Sequence, residues 1–228
     1  PPPRTKWTRR VLHPVRIGHA ASLTPYYAPP PPPGGRAPRT APVVGEARAL
    51  PALSDSCGGG PQVVQETLQE IALMRRLTHP NLLQLIGAST EPEVCILSEI
   101  CDMGSIFDYY YHKLFPRHQR FDEATARRLA LESAKGLAFM HAMQPAFMHR
   151  DIKSLNVFLS NQMTAKVADF GMATSQAVCT DGGGTIQWMA PEVLQCWQQK
   201  PTPYDLKVDV WAFGVLVWEL FHCRAPYR

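Results

Sequence analysis

The octapeptide HRDIKSLN, His149 to Asn156, sets a carboxylate, an ammonium and a carboxamide within six residues, just before the apolar run Val157-Phe158-Leu159. A loop of this composition suits one kind of chemistry. A hydroxyl can lose its proton to Asp151, Lys153 can neutralise a phosphate, and Asn156 can hold a metal ion through oxygen. Further short motifs follow in order: Asp169-Phe170-Gly171, GTIQWMAPE from Gly184 to Glu192, and DVWAFG from Asp209 to Gly214. Upstream stand Glu70, His79-Pro80-Asn81 and Ser98-Glu99. Each alone is weak evidence, because such triplets recur by chance; their order and spacing together are specific.

Such a loop works only if flanking elements hold it. In QVVQETLQEIALMRRL, Val64, Leu68, Ile71 and Met74 recur at helical spacing with no Gly or Pro inside, and His79-Pro80-Asn81 ends that helix. NLLQLIGAS and EVCILSEI read as two strands, aliphatic and β-branched. FDEATARRLALESAKGLAFMHA predicts a long amphipathic helix with Asp122 as N-cap and Ala126, Ala130, Ala134, Leu137 and Met140 inward. Short strands are expected to flank the 149–156 loop and the next motif, and a helix apolar all round is expected over 208–221. No internal repeat is visible.

Composition narrows the class. Apolar residues are 45% of the 228, ordinary for a globular core. Eight Lys/Arg precede residue 62 against only Glu46 and Asp55, so a net charge of +6 sits there and −2 beyond. Fourteen of the 22 prolines precede residue 62 as well, including Pro29 to Pro33. Residues 1–61 therefore read as a Pro/Arg-rich region, mostly disordered with polyproline-II character. Lacking aromatic interleaving or a basic helix, its charge reads as a solvated arm, so nucleic acid and membrane are not expected as partners. An SH3- or WW-type groove is the partner such a proline run would suit. Six cysteines (Cys57, Cys95, Cys101, Cys179, Cys196, Cys223) form no CxxC pair and no metal-ligand spacing with histidine, which fits a reducing, cytoplasmic setting. The run VDVWAFGVLVWELF is too short for a bilayer and carries Asp209 and Glu219.

Taken together, the motifs resemble those of the eukaryotic protein kinase family. GTxxWMAPE with HRDIKSLN is most similar to its tyrosine-kinase-like Ser/Thr group, which contains Raf and the mixed-lineage kinases. The resemblance covers about residues 63 to 228 and is most specific between 149 and 219. It implies an α+β kinase fold, with a mostly helical C-lobe and a small N-lobe sheet. It also implies transfer of the ATP γ-phosphate, with Mg2+, to a protein Ser/Thr hydroxyl. On that resemblance, Asp151 orients the acceptor hydroxyl, Lys153 meets the transferred phosphate, and Thr185 hydrogen-bonds this pair. Tyrosine kinases of the family usually lack a lysine at the position of Lys153, which argues for Ser or Thr acceptors. Asn156 and Asp169 would ligate magnesium; backbone groups of Glu99 and Cys101 would hold the adenine edge, with Ser98 behind the pocket and Phe158 in its floor. His149 would pack with Phe170, Met74 and Leu85 in a column anchored on Asp209, and Arg150 would grip a phosphate on segment 172–183.

The chain departs from the pattern at one end. The family pairs Glu70 with a lysine on an earlier strand, yet no lysine occurs between Lys6 and Lys113. IGHAASLTPYYA, Ile17 to Ala28, echoes the glycine-rich loop, with Ala20 and Leu23 in place of glycines, and GEARAL sets Arg48 roughly where the lysine belongs. Arginine is bulkier and forked, so that exchange is not conservative. Residues 1–61 read either as a degenerate N-lobe or as unrelated low-complexity sequence. The family would also continue through further helices after Arg228, so residues 62–228 are expected to form a partial kinase domain, incomplete at its C-terminal end with a defective N-lobe sheet. A kinase of impaired activity is the expectation; a pseudokinase-like interaction module and a scaffold built on the proline-rich arm are the alternatives.

Overall fold

Residues 48–50, 61–89, 95–198 and 200–227 are described in the computed structural model. The Pro29–Pro33 run and the Ile17–Ala28 echo lie outside them.

Three antiparallel strands form a first sheet in the order β1-β3-β2: β1 Arg48–Leu50, β2 Leu85–Ser89 and β3 Cys95–Ser98. The β1–β3 register sets Arg48 opposite Ser98. A shift between Leu85 and Gly87 interrupts the β2–β3 ladder, and Ile86, inside that shift, is 52% exposed.

Helix α1, Pro61–Met74, precedes β2. Proline suits its first position, where the missing amide hydrogen would have had no helical partner. The predicted apolar stripe holds only at its C-terminal end. Ile71, Leu73 and Met74 are buried, whereas Val64 and Leu68 are exposed, because α1 meets its neighbours at the end nearest β2.

After β3 the chain turns into α2, Ile106–Tyr109, under a reciprocal cap. The Asp108 amide donates to Ser105 Oγ at 3.0 Å and the Ser105 amide to the Asp108 carboxylate at 3.3 Å. A π turn (Tyr110–Leu114) and a 3-10 turn (Phe115–Arg117) lead on. The long helix α3, Glu123–His141, starts at Asp122, whose carboxylate accepts from the Thr125 amide at 2.9 Å. Its buried line is Ala126, Leu129, Ser133, Gly136, Leu137 and Met140; Ala130 and Ala134, expected inward, sit at the edge of that face.

A hairpin of β4 (Val157–Leu159) and β5 (Ala165–Val167) follows, then α4, Pro191–Trp197, and α5, Lys207–His222. Before the 149–156 loop only an isolated bridge, Met148 to Thr174, stands in place of the expected strand. The main core gathers α3, the hairpin and α5 through Leu129, Met140, Leu159, Val167, Leu216 and Leu220. Helix α5 is not uniformly buried: Val208, Ala212, Leu216 and Leu220 face in, while Val210, Trp211, Trp218 and Phe221 are exposed. The arrangement is a mostly helical body joined to a small antiparallel sheet.

Candidate active site

Helix α5 holds the HRDIKSLN loop from beneath with one buried carboxylate. Asp209, 1% exposed, accepts the His149 amide at 2.7 Å and the Arg150 amide at 2.8 Å, and meets His141 Nε2 at 2.8 Å. A carboxylate receiving two amides pins the backbone at the point where Arg150 takes φ +70°, a conformation that non-glycine residues rarely adopt. His149 is fully buried, with its ring 5.6 Å from Phe170. Its Nδ1 accepts from the Asp151 amide at 3.3 Å, so the proton sits on Nε2, which bonds the Ala168 carbonyl at 3.0 Å. Met74 and Phe170 belong to the main core cluster, and Leu85 packs against that cluster. His149 is thus a packed, doubly bonded ring.

Two residues further on, Asp151 is the hub of a closed triangle. Lys153 Nζ donates to Asp151 Oδ2 at 2.5 Å and to Thr185 Oγ1 at 2.8 Å, and Thr185 Oγ1 donates to Asp151 Oδ1 at 2.8 Å. Asn156 closes the loop on itself through Nδ2, which donates both to the Asp151 carbonyl and to its Oδ2, each at 2.9 Å. The lysine lies across the acid, and the threonine 34 residues away locks both. The resemblance implies that Thr185 meets the Asp151–Lys153 pair, and the structure brings these three and Asn156 together.

Asn156 and Asp169 lie at the same end of the β4–β5 hairpin. Asn156 directly precedes β4, its carbonyl accepts the Ala168 amide at 2.9 Å, and Asp169 follows at φ +64°. With its amide nitrogen committed to Asp151, Asn156 has its side-chain oxygen left over, and the Asp169 carboxylate receives no side-chain donor among the described residues. Two hard oxygens suit Mg2+, which takes few protein ligands and fills its octahedron with phosphate oxygens and water. No cluster of three or more His, Cys, Asp or Glu suited to a metal occurs among the described residues. Asn156 and Asp169 nonetheless fit the cation.

Glu70, on α1, comes to the other side of Asp169. A side chain placed on Gly171 would lie 3.6 Å from Asp169 Oδ1 and 3.9 Å from Glu70 Oε2. Burial, then the neighbouring Asp169 charge, push the Glu70 carboxyl up to about 7, against a hydrogen bond from the Phe170 backbone. No cation pairs with Glu70 among the described residues. Arg48, the counterpart the sequence suggests, lies on β1 opposite Ser98.

The remaining predicted residues line the segment linking the sheet to α2. Ser98 ends β3 and is half-buried, Cys101 is 6% exposed, and burial pushes its thiol up to about 12. The Glu99 amide donates to the Gln84 carbonyl at 3.0 Å, whereas the Glu99 carbonyl and the Cys101 amide enter no backbone hydrogen bond among the described residues. Beyond them the segment runs along β4: the Met103 amide bonds the Leu159 carbonyl at 3.2 Å and the Leu159 amide the Gly104 carbonyl at 2.8 Å. That pairing aligns the segment with half-buried Phe158, which forms a bridge with Ser105.

Sequence reasoning missed three supports of this site. Glu219, 5% exposed on α5, accepts Ser154 Oγ at 2.6 Å, the Ser154 amide at 3.2 Å and Trp188 Nε1 at 2.7 Å, tying the loop to the GTIQWMAPE segment. Asp181 pairs with Arg150, and Lys166 with Glu99. Glu219 left a signal, an acid within an otherwise apolar helix; the other two left none, since charged residues in loops and short strands are common.

The protein kinase domain model matches residues 57–228. The chain is 38% identical over 168 residues, 72% of its length, to the serine/threonine-protein kinase STY46 of Arabidopsis thaliana, and spans 27% of that relative. It is equally similar to the serine/threonine/tyrosine-protein kinase HT1 of the same plant, spanning 40% of it. A probable serine/threonine-protein kinase of Dictyostelium discoideum, drkB, is 32% identical over 72% of the chain, which spans 23% of that relative. The chain thus covers well under half the length of these relatives. The match takes in every part of the site from Glu70 to Glu219, and on it the chain belongs to the protein kinase family.

Proposed function

We propose that this chain acts as a protein serine/threonine kinase domain, moving the γ-phosphoryl group of ATP to a Ser or Thr hydroxyl of a protein. The observation that carries this reading is the Lys153–Asp151–Thr185 triangle. An acid held between a cation and a hydroxyl can accept a proton from an incoming alcohol while the cation stands ready for the phosphate. In the reaction the alcohol oxygen bonds to the γ-phosphorus as the bond to the β–γ bridging oxygen breaks, and the alcohol proton passes to Asp151. Lys153 donates to the phosphoryl oxygens as charge spreads over them. Asn156 and Asp169 would hold Mg2+, which would supply charge neutralisation at the phosphates. The Glu99 carbonyl and the Cys101 amide offer one acceptor and one donor to the adenine edge, with Ser98 behind it and Phe158 beneath.

Supports for a Ser/Thr acceptor are Lys153, Thr185 and the names of the relatives, although HT1's name includes tyrosine. A protein acceptor follows from the family, and a cytosolic setting agrees with Cys101, Cys179, Cys196 and Cys223, which are free. The Pro29–Pro33 run would offer an SH3- or WW-type domain a preformed ligand. No lysine stands between Lys6 and Lys113 to pair with Glu70, so a rate below that of relatives that carry one there is expected.

The deciding measurement is transfer of labelled γ-phosphate to a generic protein substrate by the unsubstituted chain and by Asp151→Asn. Removing the base should lower transfer by roughly a hundredfold or more. Equal signals would overturn the role of Asp151. No transfer together with no magnesium-dependent ATP binding would instead favour an interaction module.

A further inference from the structure

We propose that Lys166 is a positioning residue that sets the purine preference of the Glu99–Cys101 segment. This rests on the reading of that segment as the adenine site. Lys166 is the central residue of β5, three residues before Asp169, and its side chain is only 14% exposed. It stands directly across the hairpin from Phe158. Opposite residues of an antiparallel pair project from the same face, so the lysine rises beside the candidate floor residue.

From there Nζ joins two separate segments. It donates to the Pro80 carbonyl at 3.0 Å and meets Glu99 Oε1 at 2.9 Å. The same Glu99 oxygen accepts the Gln84 amide at 2.8 Å, and the Glu99 amide returns a bond to the Gln84 carbonyl at 3.0 Å. The segment carrying Pro80 and Gln84 is itself laced to β5. The Val167 amide donates to the Asn81 carbonyl at 2.9 Å, the Leu83 amide to the Val167 carbonyl at 2.8 Å, and Asn81 Nδ2 to the Ala165 carbonyl at 3.0 Å. Residue 99 is therefore clamped by its side chain and its amide, and Lys166 is the only cation in that clamp among the described residues.

What the clamp leaves over is the Glu99 carbonyl, with the Cys101 amide two residues on. Adenine presents an amine donor and a ring-nitrogen acceptor to such a pair. A 6-oxopurine presents an oxygen and a ring N–H in the same places, so both contacts become repulsive. A site built around hydrogen bonds rejects the mismatched analogue strongly, provided its groups cannot turn away. Without Lys166 the Glu99 carboxylate keeps only the Gln84 amide, and the following peptide gains freedom to rotate and tolerate the wrong edge.

The test uses the 228-residue chain and displacement of a ribose-labelled fluorescent ATP by ATP and by inosine triphosphate. In Lys166→Met, which keeps the apolar stem, ATP affinity should fall by roughly tenfold, the worth of one charge-assisted bond. The preference for ATP over inosine triphosphate should fall with it, and Lys166→Arg should restore most of both. Thermal melting establishes that each variant is folded; should Lys166→Met not fold, Glu99→Gln weakens the same bond and carries the same expectation. A folded variant with unchanged preference overturns the role of Lys166. Failure of the unsubstituted chain to bind the labelled nucleotide overturns the reading of the segment as an adenine site, and this inference with it.

Discussion

Arg150 and Asp181 form an ion pair at 2.5 Å that joins the HRDIKSLN loop to the segment after Asp169-Phe170-Gly171. The two ends differ in exposure: the arginine side chain is 11% exposed, the aspartate 61%. Tyr204 completes the arrangement, its hydroxyl donating to the Asp181 carbonyl at 2.7 Å and its ring lying 5.8 Å from the guanidinium. Arg150 Nε is buried with no partner among the described residues, so Asp181 is the counter-charge this cation depends on.

Replacing Asp181 with Asn should therefore loosen segment 177–184 with a small global cost, about 1 kcal/mol for a pair with one solvated end. Faster thermolysin cleavage near Val178, with little change in melting temperature, is the expected result. Burial pushes the Asp181 carboxyl up, but the bond and charge of Arg150 outweigh it and hold the group below the ordinary carboxylate range. A depressed carboxyl stabilises the native state above its unfolded value near 3.8, and that contribution disappears as pH falls through the folded value. Acid taken below that folded value, read with the acid-active protease pepsin in place of thermolysin, should thus open the same segment as Asp181→Asn.

Glu219 works in the opposite sense. Burial pushes its carboxyl up to about 7, against three hydrogen bonds from Ser154 and Trp188. The native state then holds a proton that the unfolded chain has lost, so stability is full below the ordinary value of 4.5 and declines as pH rises through about 7. Glu70 contributes in the same window. In Glu219→Gln the amide oxygen can accept from Trp188 and its NH2 can donate to Ser154 Oγ, so the fold should persist with a flatter pH profile. Glu219→Ala leaves three buried groups unpaired and should cost about 3 kcal/mol or more in chemical denaturation.

Thr185→Val removes the hydroxyl that ties Lys153 to Asp151 while nearly preserving volume. Phosphate transfer should fall by about an order of magnitude, consistent with lost orientation, not lost chemistry, and Thr185→Ser should retain most of it. Melting temperatures of the two variants should be similar.

Gly136→Ala distinguishes helix propensity from packing. Propensity alone predicts a gain near 1 kcal/mol in the middle of α3. The added carbon would sit 2.5 Å from the Asn81 carbonyl oxygen and 3.0 Å from a Leu82 methyl. Overpacking against backbone should win, with a net loss of about 1–3 kcal/mol read by urea unfolding.

Local pattern carried much of this. Helical spacing placed α3 and α5, and Asp122 caps α3 as its sequence predicts. Periodicity misplaced the buried faces where it had to know the neighbours: Val64 and Leu68 are exposed, and Leu129 is fully buried while Ala130 packs only at the edge of the core. A hydrophobic stripe states which side is apolar, and only the partner surface decides how much of it is covered.

The sequence by itself determined the reacting groups. Asp151, Lys153 and Asn156 lie within six residues, so a single loop conformation is enough to bring them together. Only the tertiary structure decided what holds them and what surrounds them. Thr185 reaches the acid across 34 residues and Asp209 reaches His149 across 60, pairings that the resemblance implied without geometry, and Glu219 reaches Ser154 across 65 with no such guide. Contacts at such separations have no local signature, because they depend on which helix packs beneath the loop and at what register. Burial raises the Glu70 and Glu219 carboxyls for the same reason: an acid's proton affinity follows from the solvent it loses, and that is set by the whole fold.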